Sequence, residues 1–340
     1  MPAAVAIAYK NFAAANPKIR HIGLGVSATN TAKVLRDNGI EAHVWPTESL
    51  ERIKKLIEMR PSVTHIVINA PWISALEMSE LCNDYPHLRI SCNIHSNVAF
   101  LQADSNGVDF IRDYQKLEKG VLNFTLAANS KRYVEWQEQT ENAPCQYLPN
   151  LYHLTHLDGS ARPPWASEGV LRIGSFGAQR PLKNQLSAAS AALTLANVLR
   201  CYVVFAMNSE RMEGGGQTVV RAIDQLYKGR PNAKVSYVGW QDWMSFRKVV
   251  AHQHLMIHPS YTESFSMVTA EGIAEGVPSV VTEAVDWAPE YWKAKNDDTM
   301  SLVQTAQALL HSRTAPQDGM KALTAYNVAG IGAWKAFLAK

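Results

Sequence analysis

Residues 259–282 read PSYTESFSMVTAEGIAEGVPSVVT. An apolar run, LMIHPS (255–260), enters this stretch as a strand, and the strand ends at Pro259-Ser260. A short loop carries Glu263. A helix is expected from Ser266, capped by Ser264 or Ser266 and stopped at Gly276, just before Pro278. The backbone N–H groups of Phe265, Ser266, Met267 and Val268 then point out of the helix start, where they favour an anion such as a diphosphate. Glu263 precedes this anion site and Glu271 follows it by about a turn. Two carboxylates repel phosphate, so they suit the hydroxyls of a sugar or ribose.

The same strand–helix grammar runs outward in both directions. Toward the N-terminus of the second half lie VLRIGSF (170–176), a helix over about 184–199, CYVVFAM (201–207), the helical VVRAIDQLYKGR, KVSYVG (234–239) and the helical WMSFRKVVAH. The first half repeats the alternation. HIGLGV (21–26) reads as a strand, followed by the helical TNTAKVLRDNG. EAHVW (41–45) and THIVINA (64–70) are strands with helices after them. RISCNIH (89–95) precedes a helical stretch over 98–119, and LNFTLAAN (122–129) and CQYLPN (145–150) are strands. Alternation of this kind predicts parallel sheets covered by helices. Residues 151–168 carry Pro163-Pro164 and Gly159 without periodicity, so they read as a linker. The expected organisation is an α/β protein with Rossmann-like domains at 1–150 and 169–340 and a ligand cleft at the carboxyl ends of their strands.

Composition removes other classes. The 340 residues are 47% hydrophobic with a net charge of +3, which excludes intrinsic disorder. No apolar run reaches membrane-spanning length. Residues 1–20 read as an amphipathic helix rather than a signal peptide. Four scattered cysteines, Cys82, Cys92, Cys145 and Cys201, fit buried thiols in a reducing, cytoplasmic setting. Acidic and basic residues balance in 1–150, without the basic block of a dedicated nucleic-acid binder. The basic residues Arg52, Lys54, Lys55 and Arg60 share one expected helix and keep a nucleic-acid partner open. Gly214–Gly216 is not a phosphate loop, because no Lys-Ser/Thr pair follows. His252, His254 and His258 straddle a helix end and a strand, a poor metal-ligand geometry. No Asp-x-Asp pair for a metal-dependent transferase occurs.

The 259–282 segment resembles the E-x7-E motif of retaining GT-B glycosyltransferases of the family 4 type. Pro259, Ser260, Glu263, Phe265, Glu271, Gly276 and Pro278 fall in register with it, whereas Ser266 stands where the family has Gly. RIGSFGAQRPLKNQLSAASA (172–191) resembles the donor-domain strand and basic loop, with Arg180 and Lys183 in the places of the phosphate-binding pair. VSYVGWQDW resembles the segment that carries Gly239 and Trp240 near the nucleobase; Trp243 is read as a packing residue. In the first half, GLGVSATNTAKVLRDNG resembles the opening strand, loop and helix, with Gly25 and Ser27 in the loop. His95 matches a histidine near the reacting sugar carbon, and Pro149-Asn150 match an interdomain turn.

The resemblance implies a GT-B fold and transfer of a sugar from a nucleoside-diphosphate donor, UDP- or GDP-linked, to an acceptor hydroxyl. It also implies retention of configuration; the absence of an Asp-x-Asp pair, with Lys183, Arg180 and the helix start as positive partners, leads to the expectation of no metal or other cofactor. His95 and Glu263 are then the catalytic candidates. Arg180, Lys183, Gly239, Ser264, Phe265, Ser266, Met267, Val268 and Glu271 are the donor-binding ones. The expected acceptor is a small molecule or glycan. A phage-type transferase acting on DNA 5-hydroxymethylpyrimidines, a sugar-nucleotide epimerase and a non-catalytic nucleotide-sugar binder remain open.

Overall fold

The computed structural model describes residues 3–11, 23–103, 107–155, 164–210 and 213–340. The chain divides into two compact units, 1–153 with 326–340, and 154–325. The closing helix Ala315–Leu338 contributes its last turns to the first unit. There Trp334 donates its indole N–H to the Pro149 carbonyl at 2.9 Å.

The first unit holds a parallel sheet of six strands: β1 (Ala4–Lys10), β2 (Glu41–Thr47), β3 (His65–Asn69), β4 (Arg89–Ile94), β5 (Phe124–Ala128) and β6 (Gln146–Tyr147). Their order is β2-β1-β3-β4-β5-β6, every pair parallel. Such strands are covered on both faces, which is why β3 reads HIVIN and is buried along its whole length. The second unit holds β7 (Val170–Ser175), β8 (Tyr202–Asn208), β9 (Ala233–Val238), β10 (Leu255–Ile257) and β11 (Ser279–Val280), in the order β11-β10-β7-β8-β9, again all parallel. These are two Rossmann-like α/β domains, the GT-B architecture.

Three sequence expectations are corrected. The N-terminal segment expected as an amphipathic helix is β1, an inner strand in register with β2 (Val5 beside Ala42) and β3 (Val5 beside His65). HIGLGV is not the first strand, because helix Gly23–Asp37 already includes GLGV. Gly25 and Ser27 therefore lie in that helix and not in a loop; residues 12–22, which precede it, lie outside the described residues. Packing explains the exchange. Ala28 and Ala32 of the helix pack with Val5 and Ile7 of β1. A Cβ on Gly25 would stand 2.8 Å from the Tyr9 ring, so a larger residue here would have to push that ring aside. The Ser27 hydroxyl donates to Asn150 Oδ1 at 2.6 Å, an internal bond far from a loop role. Finally, the helical stretch over 98–119 is two helices, Val98–Leu101 and Gly107–Gly120, with 104–106 outside the described residues.

Asn150 and Leu151, where the resemblance places an interdomain turn, are built into the first unit. Leu151 is fully buried, donates its N–H to Thr31 Oγ1 at 3.1 Å and packs on Gly330 of the last helix. Of the expected linker, 156–163 lie outside the described residues.

Candidate functional site

The loops after β7, β8, β9 and β10 meet at the carboxyl edge of the second sheet, where parallel sheets place ligands. Pro181–Lys183 forms a short 3-10 turn after β7. The Tyr261 N–H bonds the Leu182 carbonyl at 3.0 Å, and Asn184 Nδ2 bonds the Pro259 carbonyl at 3.2 Å. These two contacts hold the β7 loop against the β10 loop and bring Lys183 Nζ to Glu263 Oε1 at 2.5 Å. Ser260 donates its hydroxyl to the same oxygen at 2.7 Å. The two side chains of the ion pair are 16% and 9% exposed. Burial alone would raise the Glu263 carboxyl, but Lys183, Ser260 and Arg180 together hold it below its ordinary value. Glu263 is therefore a carboxylate, an acceptor only. Arg180 pairs with Glu213 Oε2 at 3.2 Å, so the expected phosphate-binding arginine already has an acidic neighbour.

Helix Met267–Ala274 follows Glu263. Ser266 is its N-terminal residue at φ 69°, in the left-handed region. That conformation explains the glycine preferred here in the resembled motif: a side chain costs about 1–2 kcal/mol. Ser266 does not make the expected cap. The Ser266 hydroxyl bonds Thr269 Oγ1 at 2.8 Å instead of a backbone N–H. Phe265 is buried and stacks on Trp287 with ring centroids 5.3 Å apart; its side chain anchors the loop in the core. Val268 packs against the apolar cluster around Phe176 and Phe246, while Ser264 and Met267 remain partly exposed at the helix start.

Glu271 is 2% exposed. Trp243 donates its indole N–H to Glu271 Oε1 at 2.9 Å. Trp243, read from sequence as plain packing, is thus the residue that fixes the Glu271 carboxyl. Burial pushes that carboxyl up to about 8, against the opposing effects of Trp243 and Arg247. Arg247 lies behind them. Its guanidinium sits 5.5 Å from the Trp243 ring and pairs with Glu275 Oε1 at 2.5 Å, both side chains almost fully buried. Arg247 Nη1 also donates to Thr155 Oγ1 at 3.1 Å. Arg247 and Glu275 were not singled out in the sequence; the only available signal was their position on the two helices that carry Trp243 and Glu271.

Gly239 follows β9. A Cβ there would stand 2.9 Å from Glu210 Oε1, and Glu210 Oε2 accepts the Trp240 N–H at 2.9 Å. Gly216, in the triple-glycine run, starts helix Gly216–Tyr227 so close to the Gln179 carbonyl that a Cβ would stand 2.1 Å from it. Gly216 is thus required by packing, whereas Gly214 and Gly215 take positive φ in the turn before the helix. His254 Nδ1 accepts the Arg172 N–H and His258 Nε2 the Phe176 N–H, so these histidines tie β10 to β7.

The first unit carries a separate polar cluster at its own carboxyl edge. His95 Nε2 lies 2.6 Å from Asn69 Oδ1, and Asn129 Nδ2 lies 3.2 Å from His95 Nδ1. The amide oxygen accepts and the amide nitrogen donates, so the ring carries its proton on Nε2. Burial pushes the imidazole down to about 4, so it is neutral at pH 7. Asn69 and Asn129 were missed in the sequence, although both close strands adjacent to β4. On the helix Leu50–Met59, Lys54 pairs with Glu80 and Asp84 at 2.5 and 2.6 Å, which removes one charge from the expected basic face.

No curated protein matches the chain by sequence. Residues 180–312 match the family described as Glycosyl transferases group 1. The matched segment spans Arg180, Lys183, Glu210, Gly239, Trp243, Glu263 and Glu271. Solved structures share the fold at low identity. Anabaena HepE in complex with UDP is 12% identical with a TM-score of 0.64, covering 98% of this chain and 98% of its own. Sucrose-phosphate synthase from Thermosynechococcus elongatus is 15% identical with a TM-score of 0.64, covering 98% of each chain. A S. aureus TarM mutant, in complex with fondaparinux, alpha-GlcNAc-glycerol and UDP, is 12% identical with a TM-score of 0.62 over 86% of this chain. This chain spans 58% of the TarM length. Among the described residues, no helix is long and apolar enough to cross a membrane.

Proposed function

We propose that this glycosyltransferase moves a sugar from a nucleoside-diphosphate donor, UDP- or GDP-linked, to the hydroxyl of a small molecule or glycan, with retention and without a metal ion. The observation that supports this best is the Lys183–Glu263 pair, seated on the β10 loop immediately before helix Met267–Ala274, within the matched segment.

In this reading the bond between the anomeric carbon and the diphosphate oxygen breaks, and a bond to the acceptor oxygen forms. The acceptor proton leaves with the departing phosphate. Negative charge grows on the leaving diphosphate, and preorganised donors stabilise it. Lys183, Arg180 and the N–H groups of Met267 and Val268 are assigned this work. An ammonium has three N–H groups, so the bond to Glu263 leaves Lys183 able to bind phosphate. Glu263 takes sugar hydroxyls and orients the anomeric carbon, and Glu271 takes the ribose hydroxyls. The first unit, with neutral His95, is assigned to the acceptor. A hydroxyl that reaches a His95 nitrogen competes there with Asn69 or Asn129.

The test is a thermal-shift panel of UDP-, GDP-, ADP- and dTDP-sugars, followed by transfer with the stabilising donor. A donor present at about 100 times its dissociation constant stabilises by about 2.7 kcal/mol. Transfer is expected to persist in EDTA. Glu271→Ala should weaken donor binding, whereas Glu263→Ala should mainly lower turnover. Loss of transfer in EDTA with rescue by Mn²⁺ or Mg²⁺ would refute the metal-free part. No shift with any donor would refute the whole.

A further inference from the structure

We propose that Glu210 reads the base of the donor and selects guanine, so that the substrate is a GDP-linked sugar. This rests on the donor site proposed above and names the base it takes. The starting observation is that Asn208, 3% exposed at the end of β8, ties three loops together. Its Oδ1 accepts the Gly177 N–H at 2.9 Å, and its Nδ2 donates to the Val238 carbonyl at 3.3 Å. The loops after β7, β8 and β9 are thereby held in one surface at the carboxyl edge of the sheet. Two residues beyond Asn208, Glu210 projects its carboxylate onto the start of the β9 loop. One oxygen accepts the Trp240 N–H, and the other lies 2.9 Å from where a Gly239 Cβ would be.

The direction of a bound nucleotide follows from the strand order. A diphosphate at Lys183 and the Met267 helix start lies over β7 and β10, in the middle of the sheet. Glu271, the ribose candidate, touches Trp243, which begins the helix after β9. The base then falls on the β8 and β9 loops, against Gly239, Trp240 and Glu210.

Hydrogen-bond complementarity picks the base. A carboxylate only accepts. Guanine offers two neighbouring donors, N1–H and the N2 amino group, spaced to match two carboxylate oxygens. Uracil and thymine present one N3–H between two carbonyl oxygens, which a carboxylate repels. Adenine and cytosine each place a ring-nitrogen acceptor beside their amino group. Glu210 also holds the Trp240 N–H, a donor that a pyrimidine carbonyl would otherwise use. The side chain is exposed, so its replacement leaves no cavity.

The experiment is calorimetric titration of GDP and UDP into the wild type, Glu210→Ala and Glu210→Gln. Charge-assisted hydrogen bonds are strong enough that wild type should prefer GDP by about ten-fold or more. Glu210→Ala should abolish that preference by weakening GDP while leaving UDP unchanged or tighter. Glu210→Gln should shift the preference toward UDP, because its amide offers one acceptor and one donor, the complement of N3–H and O4. Equal or tighter UDP binding by the wild type, or an unchanged GDP-to-UDP ratio in Glu210→Ala, would overturn the assignment while the donor site stands. Binding of neither nucleotide would overturn both.

Discussion

Lys183→Ala is expected to lower kcat by about 10²–10³-fold, the usual effect of deleting one preorganised donor to a developing anion. The residue is well placed for so large an effect. Its backbone lies in a short turn that two loop–loop hydrogen bonds clamp to the β10 loop, and its ammonium is held by Glu263. It is also the cation beside a carboxylate only 9% exposed. Removing it therefore does two things. In the proposed mechanism the leaving diphosphate loses a positive partner, and Glu263 loses the charge that keeps its carboxyl ionised against the cost of burial. The second effect predicts a pH signature. In Lys183→Ala the Glu263 carboxyl should titrate higher, so residual turnover should rise with pH over a range where the wild type is flat. Lys183→Arg keeps the charge and should recover part of the rate. Steady-state kinetics across pH at saturating acceptor make the test. Wild-type kcat in Lys183→Ala would remove Lys183 from the chemistry. A drop without any change in pH profile would separate phosphate binding from its effect on Glu263.

The second half was legible because its signals are local. A strand, a loop glutamate, a helix start and a Gly-x-Pro stop lie within 259–282, and the chain folds them as read, apart from the cap expected at Ser266. The first strand was not legible for the opposite reason. AVAIAYK is short and alanine-rich, and alanine favours helix when nothing else decides. What decides is β2 and β3 on either side of it, formed by residues far along the chain. GLGV misled in the other sense. Its apolar run suits a strand, yet Gly25 serves a close helix–strand approach that only the Tyr9 ring reveals. Trp243 shows the same limit at the site. An indole at helical spacing reads as core until its N–H is seen on Glu271. His95 was found through the resemblance, but the tautomer it holds depends on Asn69 and Asn129, which come from the ends of two other strands.

Glu271→Gln should make the protein more stable than wild type in alkaline solution and weaker in nucleotide binding. The folded carboxyl is raised by burial to about 8 from an ordinary value of 4.5. A group raised on folding binds its proton more tightly in the folded state than in the unfolded one. Stability is therefore full below about pH 4.5 and falls as pH rises toward 8. The whole difference corresponds to roughly 5 kcal/mol, reached only above the folded value. Glutamine keeps the oxygen that accepts from Trp243 and cannot ionise, so the variant escapes this loss. Urea unfolding at pH 5, 7 and 9 should show midpoints that fall for wild type and hold for Glu271→Gln, with near-equality at pH 5. Parallel decline of both proteins would place the pH-sensitive group elsewhere. Nucleotide binding should run the other way. In the proposed donor mode ribose hydroxyls donate into the ionised carboxylate, so wild-type affinity should rise between pH 6 and 8 as the proton is displaced, and an amide should lack that rise. Calorimetry at pH 7 in two buffers of different ionisation enthalpy should therefore show proton release on binding by the wild type and none by Glu271→Gln. The proton released would come from the carboxyl that Trp243 holds, with Arg247 favouring its ionisation and Glu275 opposing it.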